Sequence, residues 1–550
     1  MQLTLLLSRL SFLASVLVFF SILCLIITGF PPEIAGHSIH LKNLRTPFTL
    51  LVTLILTGLF LHPAREAKIK LWKDKVSAFV SKPSAPWILF AVYGLLFLWQ
   101  QLTEYFAIEI NFIPFGFYDY ILYYLFHGRI NYTGLLHTYY HLNNIMIFLA
   151  PFWYLFKSPL FLTVIYGFIA SLAIIPLYGI AKERFGGESV APFFIAFVYL
   201  NYRYLQNVLL MNFSVEIFYP LFVFATLYCA MRGKWIAYYV FLALGLLVKE
   251  DSFIYFSAVG LLVCFTKRQI KHGILTVALS LAYFAFLLKV FIPLTHNTVF
   301  KEDLNNFEGY GNSTSGILKS SVFNPASIAK VLFGSPAKLR TYFNLLSRLA
   351  FIPLFSPTCV LILAPILPLF FHSTGRDTNF IDLRFHYAAA VLPFVFIAFI
   401  FGFSNLYRKV KEKWRENFVW VVFLVLLFIN GGNYVTQKIT KERLKSIEWA
   451  RSIPVTANLV THGHLLPYVG YRKYNYYFAQ PFELEANPAH SAFSNADYYL
   501  IDENVNLYPM EKPYFDEKVK SLKSDPRYEL IRSSDGRFLF KRRDLVYGKS

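Results

Sequence analysis

The stretch LNNIMIFLAPFWYLFK, residues 142–157, decides how the chain crosses a membrane. It looks like a membrane span, but it is short for the usual length of about 20 residues, and Pro151 interrupts it. If it did cross, Lys182 and Arg184 would fall on the outer side, against the preference of Lys and Arg for the cytoplasmic side. We therefore predict a re-entrant or interfacial helix here, with residues 160–181 as the true return span.

The composition of the whole chain indicates a polytopic membrane protein. Of its 550 residues, 56% are hydrophobic and only 15% are charged, whereas soluble domains average about 45–50% and about 25%. The net charge of +20 could suggest nucleic acid, but the basic residues lie in short clusters between apolar runs. Nucleic acid is therefore not an expected partner, and membrane lipids are.

The apolar runs predict an all-α polytopic fold with about 13 transmembrane helices. We read the N-terminal run as a retained span, because its apolar core is longer than that of a signal peptide. The predicted spans are residues 9–30, 46–62, 84–104, 160–181, 190–206, 214–231, 235–249, 252–266, 273–293, 343–357, 358–372, 385–403 and 417–432.

Basic clusters set the predicted orientation. Residues 65–82, 267–272 and 408–415 are clusters of Lys and Arg between spans and are expected to be cytoplasmic. The N-terminus is then cytoplasmic, and the loop 105–159 and everything after 433 face outward. After 433 the pattern changes to short β-like runs with a hairpin around Ser-Asp-Gly, which predicts a small extracytoplasmic α/β domain.

Three regions follow from this pattern. Residues 1–83 form an N-terminal helix pair with a basic cytoplasmic loop, residues 84–432 form the transmembrane domain, and residues 433–550 form the extracytoplasmic domain. The four Cys all lie in apolar runs, so the sequence predicts no disulfide framework for the last region.

Asp119 is the first candidate for chemistry. It is the lone acid of the aromatic loop FGFYDYILYYLFHGRINYTGLLHTYYHLNNI, residues 115–145. A general base needs a carboxylate beside an acceptor hydroxyl in a sheltered site, and an aromatic loop at the interface would shelter it. The alternative is a structural acid that caps a helix or faces water.

Further charged residues lie at predicted outer ends of spans. Lys249, Glu250 and Asp251 are wedged between apolar runs, and Glu216 lies one turn inside a span. Ionisable residues at membrane depth are costly and suggest function, and a Lys there can bind phosphate. Structural pairing of the three charges, or a protonated Glu216 satisfied by a neighbouring helix, is the alternative.

Several cations converge on the same predicted face. Arg384 and His386 open the twelfth span, and Arg203 lies near another outer end. Arg suits phosphate recognition, although each one could instead extend to lipid headgroups. His137 and His141 are four residues apart, yet without a third nearby ligand we expect no metal. No nucleotide-binding loop is present, and no cofactor is expected.

Several motifs together resemble a known family. FYDYI, HLNNIMIFLAPFWYLF, IPLYGIAKERFG, NFSVEIFYPL, LLVKED and FHYAAAVLPFVFIA occur in this order. This pattern resembles the polytopic family called domain of unknown function 2079, which is similar to GT-C glycosyltransferases, enzymes that use polyprenyl-phosphate-linked sugars. The resemblance covers about residues 90–430 and reaches the C-terminal region, whereas the first two spans are an addition.

The resemblance implies a GT-C-like transmembrane domain and a role for Asp119. GT-C enzymes carry a catalytic acid in the first large external loop, and Asp119 is at the matching position. The family often shows Asp-Phe-His-Pro-Glu where this chain has Asn212-Phe213-Ser214-Val215-Glu216, so only Glu216 remains of its ionisable groups. Lys249, Glu250 and Asp251 match a charged motif of the family.

Together these observations predict an inverting membrane glycosyltransferase with a lipid-linked sugar donor and an unidentified extracytoplasmic acceptor. The resemblance also places it in a prokaryotic inner membrane. The alternatives are a transporter or flippase for a lipid-linked or anionic solute, and a non-catalytic envelope-assembly scaffold. Asp119 is the predicted catalytic residue. The predicted substrate- and phosphate-binding residues are Lys249, Glu250, Asp251, Glu216, Arg384, His386, Arg203, Arg129 and His141.

Overall fold

The structure is a computed structural model of the full chain. It describes residues 2–28, 33–34, 37–38, 45–110, 115, 118–119, 121–123, 125, 137–138, 141–267, 269–294, 324–372, 378–431, 436–470, 475–477, 496–507 and 512–544. Arg129 lies outside the described residues, and so does the side chain of His141.

Helices make up most of the described chain. They are α1 (Gln2–Thr28), α2 (Arg45–Leu61), α3 (Arg65–Val80), α4 (Ala85–Phe106), α5 (Met146–Phe156), α6 (Leu160–Leu172), α7 (Ile174–Phe185), α8 (Ala191–Asn201), α9 (Arg203–Leu209), α10 (Phe218–Met231), α11 (Trp235–Leu246), α12 (Ser252–Lys267), α13 (Ile270–Phe286), α14 (Pro325–Phe333), α15 (Pro336–Ser347), α16 (Leu363–His372), α17 (Thr378–Ile381), α18 (Leu392–Lys409), α19 (Arg415–Asn430), α20 (Lys441–Ser452) and α21 (Lys512–Ser524).

Short helical turns connect several of these helices. A π-helical turn, Leu287–Phe291, and the turn Ile292–Leu294 extend α13. The 3-10 turns are Val215–Ile217, Ile352–Phe355, Pro357–Ile362, Phe385–Ala388, Glu412–Trp414 and Gly463–Tyr468.

Four described helices are long and apolar enough to cross a membrane. They are Leu3–Ile26, Ala85–Phe106, Leu160–Phe185 and Ile270–Phe291, and a pair bent by 89°, Asn379–Ala388 with Leu392–Lys409, would be a fifth. The predicted count of about 13 spans is not confirmed.

The difference in count arises where predicted spans divide into shorter helices. Residues 190–206 break at Tyr202, whose backbone is extended between α8 and α9. Residues 343–357 likewise end α15 and continue as the 3-10 turn Ile352–Phe355. An apolar run in a sequence does not distinguish one long helix from two short ones that pack against other helices.

Close helix packing depends on glycine where α12 and α13 meet as an antiparallel pair. A Cβ on Gly260 would lie 2.8 Å from the carbonyl oxygen of Gly273, and one on Gly273 would lie 2.6 Å from that of Gly260. Small residues allow such backbones to approach, which is how helices associate in lipid.

The stretch 142–157 forms α5, a helix of 11 residues that is too short to span a bilayer. It follows strand β4 (His141–Leu142) and ends at Lys157, whose backbone is left-handed. The long helix formed by α6 and α7 begins three residues after Lys157. This arrangement agrees with a re-entrant or interfacial segment before the return span.

Three basic segments meet at one end of the bundle. Arg184 stacks its guanidinium over Phe401 at 4.0 Å and lies within electrostatic range of Arg408. Lys73 of α3 donates a hydrogen bond to Asn417 of α19 at 2.8 Å. Segments 65–82, 182–184 and 408–415, which the sequence predicts to share the cytoplasmic side, are therefore neighbours.

The C-terminal region contains a small mixed sheet, as the sequence predicted. Its strands are β5 (Leu459–Thr461), β6 (Asn475–Tyr477), β7 (Tyr498–Asp502), β8 (Tyr528–Ser534) and β9 (Arg537–Arg542), in the order β6-β5-β7-β9-β8. Strands β5, β6 and β7 are parallel, and β8 and β9 form the hairpin around Asp535-Gly536. Short two-residue strands occur elsewhere, as β1 (Glu33–Ile34) with β2 (His37–Ser38) and β3 (His137–Thr138) with β4.

The two faces of this sheet pack on different cores, because alternate residues of a strand point to opposite faces. Leu459 and Leu500 join the large core shared with the transmembrane helices. Val460, Tyr499 and Ile501 instead join a second core with α21. The sheet is therefore joined to the helical bundle, and the predicted domain boundaries remain predictions.

Candidate functional site

Lys249 forms a buried ion pair with Glu216. Lys249 lies in the turn between α11 and α12, and its Nζ is 2.9 Å from Glu216 Oε1, with the two side chains only 9% and 8% exposed. Burial makes an unpaired charge very costly, so each of these residues requires the other. The pair joins two segments that are 33 residues apart.

Glu216 is the centre of a cluster drawn from three parts of the chain. It lies in the 3-10 turn Val215–Ile217 that precedes α10, and Ser214 Oγ donates a hydrogen bond to its Oε2. His386 Nε2, from the turn Phe385–Ala388, is 3.8 Å from Glu216 Oε1. One carboxylate thus binds a lysine and lies close to a histidine.

The two acids that follow Lys249 bind other elements. Glu250 Oε2 accepts a hydrogen bond from the backbone N–H of Leu142 at 2.7 Å. Asp251 accepts one from the hydroxyl of Tyr219 and one from that of Tyr255, each at 2.6 Å. Three consecutive side chains therefore tie one turn to three different parts of the protein.

Asp119 is buried in the segment 105–159 and is held by an indole. Its side chain is 3% exposed, and its Oδ1 accepts a hydrogen bond from Trp153 Nε1 of α5 at 3.0 Å. A carboxylate removed from water in this way is chemically sheltered, which is what a general base requires. The structure thus disfavours the alternative of a water-exposed loop acid.

Tyr118 connects this loop to the Glu216 cluster. Its ring lies 5.1 Å from that of Phe213, and its hydroxyl interacts with the Ser214 side chain and the Val215 backbone. Burial raises the pKa of Tyr118, and the nearby Glu216 carboxylate raises it further. Because Asp119 is the next residue, the predicted base is a chain neighbour of the residue that contacts the cluster.

Arg384 and Arg203, two of the predicted binding residues, lie in the region around Asp382. Arg384 is 58% exposed and pairs with Asp382 at 3.3 Å. Arg203, also exposed, begins α9 and lies with Arg348 and Asp382 within electrostatic range of Tyr204. Among the described residues, neither Arg384 nor Arg203 forms an ion pair with Glu216. Their predicted contact with phosphate, and the roles of Arg129 and His141, remain predictions.

Glu104 is a further buried acid, which the sequence pattern did not single out. It lies near the end of α4, is 2% exposed, and accepts a hydrogen bond from the Asn212 side chain. Among the described side chains, no Lys or Arg pairs with it. The polar residues Gln100, Gln101, Thr103 and Glu104 at the end of an apolar run were the available signal.

Asn212 and Ser214 give the Asn212–Glu216 segment a distinct structural role. Asn212 bonds to Glu104, and Ser214 bonds to Glu216, so the segment links two buried carboxyl groups. Asn212 has a φ of +64°, a left-handed conformation that Asn tolerates better than most residues.

The hydrogen-bonding partners Trp153, Ser214, Tyr219 and Tyr255 had no distinguishing signal in their apolar runs. Within the described part of the chain, no group of three or more His, Cys, Asp or Glu residues could hold a metal ion.

Comparison with known proteins identifies the family. The family described as "Predicted membrane protein (DUF2079)" matches residues 114–539. The chain belongs to this family. Membership in DUF2079 confirms the resemblance predicted from the motifs. The matched region starts after α4, so the N-terminal helices lie outside it.

Other comparisons add a distant likeness. This DUF2079 protein is similar to the crystal structure of ArnT from Cupriavidus metallidurans bound to undecaprenyl phosphate, with 9% sequence identity and a TM-score of 0.42. The likeness covers 84% of this chain and 98% of that chain. A TM-score this low gives no basis for transferring function. The comparison with curated proteins gives no match.

Proposed function

We propose that this protein is a membrane glycosyltransferase that transfers a sugar from a polyprenyl-phosphate donor to an extracytoplasmic acceptor. The observation that carries the proposal is the sheltered carboxylate of Asp119, held by Trp153 and adjacent in sequence to Tyr118, which contacts the Glu216 cluster. A buried acid in the same region as Lys249 could take up a proton while the lysine stabilises a leaving anion. The resemblance of Asp119 to the catalytic acid of GT-C enzymes points in the same direction.

The reaction would be a single displacement. Asp119 would accept the proton of the acceptor hydroxyl as its oxygen attacks the anomeric carbon. The bond between that carbon and the phosphate oxygen would break, with inversion at the anomeric centre. The bonding electrons would remain with polyprenyl phosphate, which leaves as an anion, and Asp119 would then release its proton to water.

Cations near Glu216 would stabilise the negative charge on the departing phosphate, which is often the largest contribution to catalysis. Lys249 is oriented by Glu216, whereas Arg384 and Arg203 are exposed and able to meet a ligand. We assign Arg129 and His141 of the external loop to the same phosphate or sugar contacts. Glu250 and Asp251 would act through the elements they hold.

A lipid-linked donor explains why such chemistry would need membrane helices and no nucleotide-binding loop. We infer that the site faces away from the cytosol, opposite the basic end of the bundle, in a prokaryotic inner membrane. The C-terminal sheet would then lie on the same outer face and orient the acceptor. This assignment requires neither a metal nor an organic cofactor.

The test is transfer of label by the purified full-length protein in liposomes. Radiolabelled polyprenyl-phosphate sugars are supplied with a membrane extract as the acceptor source, and wild type is compared with Asp119→Asn. We expect transfer in wild type and a loss of at least about 100-fold in the variant, the usual scale for a general base. Asp74→Asn, an exposed acid on α3, is the matched control and should remain active.

Other outcomes would favour the alternatives. Movement of the labelled lipid across the bilayer without transfer would support a transporter or flippase. Wild-type transfer by Asp119→Asn would refute the proposed mechanism. Neither transfer nor movement with any sugar tested would support a scaffold without catalytic activity.

A further inference from the structure

We propose that α5 is a positioning element for Asp119, with Trp153 as the positioning residue and Glu250 as the anchor of the segment. The inference rests on the proposed function, because it concerns the same carboxylate. It also gives Glu250 a structural task in place of the phosphate contact predicted from the sequence.

The two faces of α5 have different environments. Its buried residues, Met146, Leu149, Ala150 and Trp153, recur at the spacing of one helical face. Phe148, Phe152 and Leu155 on the other side are exposed, and Leu155 is 75% exposed. In a membrane interface that outer face would contact lipid, while the inner face contacts the protein and the loop that carries Asp119.

The start of the segment is fixed to the turn that carries Lys249. Glu250 accepts the backbone N–H of Leu142, and the N–H of Ile145 donates to the carbonyl of Leu247 at 2.7 Å. Asn144 Nδ2 also donates to the hydroxyl of Tyr283 in α13 at 3.1 Å. Side-chain and backbone contacts therefore hold the residues immediately before α5 on both sides.

The buried face of α5 ends at Trp153. Because Trp153 bonds to Asp119, the placement of α5 affects the placement of that carboxylate. The indole is buried, so its only N–H points in one direction, and that direction is the Oδ1 of Asp119. The Tyr123 ring packs edge-on against it, with centroids 6.2 Å apart. A rigid donor from a fixed helix can set the orientation of the carboxylate more narrowly than a mobile loop can.

One turn therefore positions both groups on which the proposed reaction depends. Lys249 reaches Glu216 from this turn, and Glu250 holds the segment that leads to Trp153 and Asp119. Because Lys249 and Glu250 are adjacent, the segments that carry the cation and the base are both connected to this turn. In this arrangement α5 positions residues of the site in addition to contacting the membrane.

The first test is Trp153→Phe, which removes the N–H donor and keeps most of the ring. We expect kcat for transfer to fall by about 10- to 100-fold, the scale of a hydrogen bond to a charged group, with KM for the lipid-linked donor unchanged. The acidic limb of the pH profile should move to higher pH, because the ionised carboxylate loses a donor that favours it. Trp87→Phe, an exposed tryptophan of α4, is the control and should leave kcat and the profile unchanged.

The second test compares Glu250→Gln with Glu250→Ala. Gln keeps an oxygen that can accept the N–H of Leu142, so it should retain most of kcat, whereas Ala should lose it by about 10-fold or more. Hydrogen exchange gives an activity-independent measurement. The amides of Leu142 and Ile145 should exchange faster in Glu250→Ala than in wild type, and Glu250→Gln should resemble wild type.

Distinct results separate this inference from the proposed function. An inactive Asp119→Asn together with wild-type kcat and pH profile in Trp153→Phe would overturn the positioning role alone. Equal damage by Glu250→Gln and Glu250→Ala would overturn the anchoring role. An active Asp119→Asn would instead refute the function on which the inference rests.

Discussion

Removing Lys249 should destabilise the protein strongly, because it would leave Glu216 buried without its ion-pair partner. The two charged atoms are 2.9 Å apart, and both side chains are over nine-tenths buried. At an effective dielectric constant of about 20, Coulomb's law gives roughly 6 kcal/mol for unit charges at this distance. Ser214 still bonds to Glu216, so we expect Lys249→Met to cost about 3–5 kcal/mol, the usual range for half of a buried pair.

The measurement is unfolding of the purified protein in mixed micelles by titration with dodecyl sulfate, followed by circular dichroism. A protonated His386 would replace part of the lost charge, so the titration is performed at pH 8, where an ordinary histidine is neutral. The double variant Lys249→Met, Glu216→Gln removes both charges and should recover at least half of the lost stability.

The control is an ion pair of similar length on the surface. Arg232 Nη1 lies 2.7 Å from Glu183 Oε1, but these side chains are 49% and 28% exposed. Arg232→Met should therefore change the unfolding midpoint far less than Lys249→Met. A loss below about 1 kcal/mol for Lys249→Met, or no recovery in the double variant, would show that the pair is not a closed and buried one.

Two further predictions concern the site and the C-terminal sheet. Tyr219→Phe and Tyr255→Phe should each cost about 1.5–3 kcal/mol, because each removes a hydrogen bond to Asp251. Unfolding of both variants measures this, and wild-type stability in both would contradict it. Burial, with a smaller contribution from His464, lowers the pKa of His462 to about 3. The unfolded chain binds a proton below about pH 6.5, so the sheet should lose up to about 1.4 kcal/mol per pH unit below that value. A lower free energy of opening for the β7 amides at pH 5 than at pH 7, obtained from exchange rates corrected for the pH dependence of intrinsic exchange, would show this, and His462→Gln should remove the difference.

Much of the architecture could be predicted from the sequence, because the hydrophobic pattern and the residues favoured in turns are local signals. The hairpin around Asp535-Gly536 follows from residues that accept positive φ, and both do so, at 48° and 75°. The short α5 followed from Pro151, from the length of the run and from the placement of Lys182 and Arg184. The helix breaks at Tyr202 and after Ser347 could not be predicted in this way, because packing against other helices determines them.

The site was predictable as a set of residue types and not as a set of contacts. Asp119, Glu216 and Lys249 stood out because charge is rare in apolar runs. That Lys249 pairs with Glu216, while Glu250 binds a backbone amide, depends on the tertiary path of α5 and α10. Glu104 did not stand out, because it lies among polar residues at the end of a long apolar run, where a membrane span is expected to end.

The turn at Lys249, Glu250 and Asp251 has a consequence for how the protein can change over evolutionary time. Lys249 and Asp251 bind the side chains of Glu216, Tyr219 and Tyr255, so substitutions in these partners must be matched at the turn. Homologues that replace Glu216 with a neutral residue should also replace Lys249, and those that lose both tyrosines should lose Asp251. Substitutions at this turn would therefore occur in pairs, and an alignment of homologues would show them as covarying positions.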